Sequence, residues 1–118
     1  MTENLIWTVQ NGQLDEFVAA FESQKFPVNQ DINGRTLLHY AADYGQSEVI
    51  SYLISKGADV NKLDKHGISA LLAAIWEGHT NCVKILLNSG ASKNGHAPDG
   101  TSYYDAAEKA EIKALLST

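Results

Sequence analysis

The chain repeats itself every 33 residues, and that period decides most of what it can fold into. Gly34, Gly67 and Gly100 are 33 apart, as are Thr36, Ser69 and Ser102. Gly12, Gly45 and Gly78 form a second ladder, and Gly57 and Gly90 a third. Apolar positions keep the same phase: Ile50 with Val83, Leu53 with Leu86, Ile54 with Leu87. Self-similarity at such a spacing marks an array of small units, none of which buries its apolar face alone. The 118 residues suffice for one domain built this way.

Each unit reads by local rules as a turn followed by two short helices. Asp31-Ile32-Asn33-Gly34 and Asp64-Lys65-His66-Gly67 carry hairpin-turn chemistry, glycine taking positive φ and Asx side chains bonding nearby backbone. Thr36 and Ser69 stand where an N-cap belongs. The run from Leu37 stops at Gly45, and Val49, Ile50, Leu53 and Ile54 then form the apolar stripe of a second helix. The expected architecture is an all-α solenoid in a single domain. A partial unit covers 1–32, full units cover 33–65 and 66–98, and a partial cap covers 99–118. Val28-Asn29 precedes Val60-Asn61 by only 32, so the first loop holds one extra residue. Leu115-Leu116 follows Leu86-Leu87 by 29, so four residues are missing from the last unit.

Gly34-Arg35-Thr36-Leu37-Leu38-His39-Tyr40-Ala41-Ala42, followed by Gly57-Ala58-Asp59-Val60-Asn61, resembles the ankyrin repeat. Leu37 and Ala70 depart from it where the family shows proline, which there only presets φ at a helix start. From end to end the chain is also similar to small ankyrin proteins that consist of little but their repeats. Trp7…Asn11-Gly12-Gln13-Leu14-Asp15-Glu16, Lys56-Gly57-Ala58-Asp59-Val60-Asn61 and Ile112-Lys113-Ala114-Leu115-Leu116 carry that likeness. It implies a monomeric inhibitor that binds the heterodimeric actin capping protein and blocks its access to filament barbed ends. It implies a cytoplasmic location, with the nucleus as a second compartment. The rival reading is an adaptor or inhibitor of a transcription factor or kinase, because fold alone does not fix function.

Charge supports a basic partner. Residues 1–50 carry seven acids and two bases, whereas 51–118 carry seven of each, so the whole net charge of −5 lies in the first 50 residues. Neither nucleic acid nor an anionic membrane suits such a surface. The start, Met1-Thr2-Glu3-Asn4, lacks the positive region of a signal peptide, and the longest apolar run, 70–76, is far below the roughly 20 residues of a membrane span. Cys82 is the lone cysteine, which fits a reducing cytosolic compartment. His79 and Cys82, three apart on one helix, could be imagined as a nucleophile pair. However, Cys82 shares the phase of Val49 and reads as core, and His39 reads as a structural ring of the repeat. No catalytic residue, cofactor or metal is expected.

The informative residues share the repeat phase but stand outside its buried set. Trp7 pairs with Tyr40, Asp43 with Trp76, and Tyr44 with Glu77, all at 33. They fall at or just beyond the Ala-Ala positions of first helices, where ankyrin solenoids turn a concave groove to the partner. Tyr and Trp are favoured interface anchors. The competing reading has Trp7 and Trp76 packing between units. Asn33 and Arg35 on one hairpin tip, with Lys65 and His66 on the next, extend the candidate surface.

Overall fold

The computed structural model describes residues 2–11 and 13–117. Gly12 of the second ladder lies outside the described residues. Among these, eight helices run in chain order as four antiparallel pairs. They are α1 (Thr2–Gln10) and α2 (Leu14–Gln24), α3 (Leu37–Asp43) and α4 (Ser47–Ser55), α5 (Ala70–Glu77) and α6 (Thr80–Asn88), α7 (Tyr103–Ala106) and α8 (Ala110–Leu116). First helices stack on first helices and second on second, in a slab of 40 × 24 × 21 Å. None is long and apolar enough to cross a membrane.

The repeat signature explains the local structure. Thr36 caps α3, its hydroxyl accepting from the His39 N–H at 3.4 Å, while His39 Nδ1 accepts from the Thr36 N–H at 3.1 Å. Ser69 and Ser102 cap α5 and α7 in the same way, each accepting at 3.1 Å. Gly45 and Gly78 end the first helices at φ of +71° and +72°, a left-handed conformation open to glycine. One continuous core runs the length of the stack, with Leu5, Phe17, Ile50, Leu53, Leu72, Leu86 and Ile112 fully buried.

Polar ties join each unit to the next. Asn29 donates to the Gly57 carbonyl at 3.2 Å and accepts from the Asp59 N–H at 2.7 Å. Asn61 repeats this one unit on, against Gly90 and Ser92. His39 Nε2 donates to the Ile68 carbonyl at 2.9 Å, and His79 Nε2 to that of Asp43 at 3.1 Å. At the cap, Lys109 donates to the Gly78 carbonyl and Ser69 shares a hydrogen bond with the Tyr103 hydroxyl, both at 2.7 Å.

Two irregularities land differently from the expectation. The extra residue of the first unit is not in its hairpin. It lies at the end of α2, where the left-handed closing residue, Lys25 at φ +50°, comes one position later, counted from the helix start, than Gly57 does after α4. The hairpin that follows is tighter than its successors. Ile32 and Arg35 bond each other across a two-residue turn, Asn33 at φ +58° and Gly34 at +91°. Asp64 and Ile68, like Ala97 and Thr101, instead span three residues ending in a left-handed glycine. In the last unit the missing residues are the final turn of the first helix, since α7 has four residues where α5 has eight.

Candidate protein-binding groove

Helices α3 and α5 bring their C-terminal turns together beneath the first two hairpins. Between them lies a cavity of about 360 Å³. Six of the expected residues gather around it: Asn33, Arg35, Asp43, Lys65, His66 and Trp76. Trp76 forms a wall with 48% of its surface exposed, so it does not pack between units. Trp7 on α1 and Tyr44 at the end of α3 are comparably exposed, and Glu77 stands exposed at the end of α5. The Tyr44 hydroxyl accepts from Gln10 at 2.9 Å, which links that ring to the end of α1.

Tyr40 is a correction. It is 9% exposed, and its hydroxyl donates to the Ile32 carbonyl at 3.0 Å. Its ring holds the first hairpin against α3 under the Arg35 guanidinium, whose carbon sits 4.7 Å from the ring centre. The residue sets the shape of the groove from beneath and, with Arg35 over its ring, offers little surface to a partner. Its equivalent one unit on is Ala73, whose methyl leaves the floor open.

Sequence reasoning passed over Ala73 and Asp64. The signal for Ala73 was available, because a small residue 33 beyond a tyrosine makes room in the groove. Asp64 lines the cavity while its Oδ1 accepts from the His66 and Ile68 N–H groups at 2.8 and 2.9 Å, fixing the second hairpin. Asp43 is the other carboxylate there, paired through Oδ2 with Arg35 at 3.4 Å. The in-phase stripe ends at α5 because α7 lacks the final turn that would carry its next member, and the exposed Tyr104 of α7 stands in the phase of Leu71 instead.

Cys82 is 1% exposed, and burial pushes its thiol up to about 11, the opposite of what a thiolate nucleophile needs. The His79 ring lies over Gly45 and is engaged by the Asp43 carbonyl. His39 is buried, its ring hydrogen-bonded to Thr36 and Ile68, and desolvation lowers its affinity for a proton. Among the described residues no group of three or more His, Cys, Asp or Glu side chains is placed to hold a metal ion.

Known proteins match in the same sense. A family model described as ankyrin repeats in three copies covers residues 5–97. Myotrophin of Xenopus tropicalis is 45% identical over 118 residues, 97% of each chain. The E3 ubiquitin-protein ligase hecd-1 of Caenorhabditis elegans is 36% identical over 106 residues, which are 89% of this chain and 4% of the ligase. Ankyrin repeat and SAM domain-containing protein 6 of Rattus norvegicus is 42% identical over 79 residues, 66% of this chain and 9% of that protein. The chain therefore spans a small fraction of those two larger relatives and nearly all of myotrophin. On its period, its stacked helix pairs and these matches, the chain belongs to the ankyrin-repeat family.

Proposed function

We propose that this ankyrin protein inhibits the heterodimeric actin capping protein by covering the basic surface with which that partner grips filament barbed ends. The observation that carries the reading is the likeness to myotrophin along 97% of both chains, a relative of this same small size. The groove supports it. Exposed Trp7, Tyr44 and Trp76 offer large rigid anchors, and Asp43 and Glu77 flank them with negative charge. The two full units, 33–65 and 66–98, supply the hairpins and the groove, and the partial units close the ends. Such an inhibitor works as a monomer in the cytoplasm, where filaments grow.

Seeded actin elongation in the presence of capping protein tests this. Adding the protein should restore barbed-end growth in proportion to a directly measured complex. Trp76→Ala should weaken that complex by about 2 kcal/mol, as loss of an interface anchor does, with a thermal midpoint far closer to the parent's than that of Leu86→Ala. Elongation that stays capped at saturating protein, with no complex by calorimetry, would sink the proposal. A regulator of a transcription factor or kinase would then stand in its place.

A further inference from the structure

Arg35 occupies the groove in an unusual way. Its guanidinium touches three things that together recognise a guanidinium: the Asp43 carboxylate, the His39 carbonyl and the face of Tyr40. Its two polar contacts are long. The nitrogens stand 3.4 Å from Asp43 Oδ2 and 3.5 Å from the His39 oxygen, where charge-assisted bonds run about 2.7–2.9 Å, and Asp43 is held through one oxygen. The cause is tethering. The Arg35 backbone is bridged to Ile32 on one side and abuts the Thr36 cap on the other, so its side chain must curl back over its own helix.

We infer that this is a binding site for an arginine side chain of the partner, which Arg35 fills as a displaceable stand-in. The inference rests on the reading of the groove as the surface that meets a basic partner. An arginine entering along Trp76 is free of the tether and can grip Asp43 with two nitrogens while stacking on Tyr40. Arg35 is one-quarter exposed, so it can swing outward without disturbing the core. The pair is held through one oxygen at 3.4 Å and both side chains reach solvent, so displacement costs little.

The test uses acetyl-Gly-Arg-Gly-amide as probe, with acetyl-Gly-Lys-Gly-amide beside it, followed by the Trp76 indole N–H signal in NMR. Arg35→Ala should bind the arginine probe about fivefold more tightly than the parent protein, the gain expected on removing a competitor of that strength. It should gain little for the lysine probe, and Asp43→Asn in the same background should abolish the gain. Arg35→Met, which keeps the aliphatic stem over Tyr40, guards against a hairpin that loosens in the alanine variant. Equal gains for both probes would reduce the effect to net charge, and no gain would leave Arg35 a plain structural residue; either overturns the inference. Capping protein is titrated separately with the same variants. If it binds none of them, the proposed function fails while the probe result still decides the arginine site.

Discussion

Tyr40 and Ala73 occupy the same place in successive units, yet one fills its space and the other empties it. That single difference in volume makes a cavity where two identical residues would have made a wall. His39 shows the opposite economy, since every polar atom of its ring is engaged. Nε2 gives its proton to Ile68, so Nδ1 is left as the acceptor facing the Thr36 N–H and hydroxyl. A second proton on Nδ1 would confront a donor, and burial opposes the charge as well. The folded state thus binds a proton at His39 less readily than the unfolded chain, whose imidazole titrates near 6.5. Stability from this ring is intact above about pH 6.5 and is lost as pH falls below it. Urea midpoints measured from pH 7.5 to 5 should decline, and the decline should be shallower in His39→Gln. Equal slopes in the two proteins would mean that other groups carry the acid sensitivity.

At the scale of elements, the hairpins and caps were legible because their chemistry is local. A hydroxyl before a helix and a glycine after it name their positions without any knowledge of the stack. Phase put Trp7, Tyr44 and Trp76 on the groove face but left open whether the two tryptophans pack between units, and their exposure answers that. Tyr40 was misjudged for the same reason: phase states which face a residue occupies, and says nothing of a neighbouring guanidinium that covers it. Spacing places the extra residue between Gly12 and Val28 but does not say whether it lies in α2 or in the loop after it, since either preserves the same interval. Gly45 illustrates a constraint that comes from both levels. Its φ of +71° disfavours a side chain, and a Cβ there would stand 2.7 Å from the His79 ring. Gly45→Ala should therefore cost about 1–3 kcal/mol in chemical denaturation. Gly57→Ala meets no neighbour within 4 Å and should cost less, leaving only its φ of +94° to bear. If Gly57→Ala proves as harmful as Gly45→Ala, the ring contact is irrelevant.

Across the whole molecule, charge is polarised along the stack, with the entire excess of five negatives in the first 50 residues. A basic surface is drawn to that end, and attraction of this kind acts chiefly on the rate of association. The Debye length is about 8 Å at 0.15 M ionic strength, so under the proposed function salt should slow association with capping protein steeply. In stopped-flow measurements Asp43→Lys should lower the rate and flatten its salt dependence. Glu108→Lys, in the balanced half, should change both far less. Identical behaviour of the two variants would separate the charge distribution from binding altogether.

The ties between units carry a mechanical consequence. Asn29, His39, Asn61, His79 and Lys109 each reach an adjacent unit. The seams are therefore springs in series, not in parallel. A force applied across the two ends passes undiminished through every seam, and the small openings at each one add. The groove spans one such seam, between the hairpins of the second and third units, so its width is coupled to any flexing of the strip as a whole. A partner that bridges Asp43 and Trp76 clamps that seam, and the protein it holds becomes a stiffer beam than the one it met.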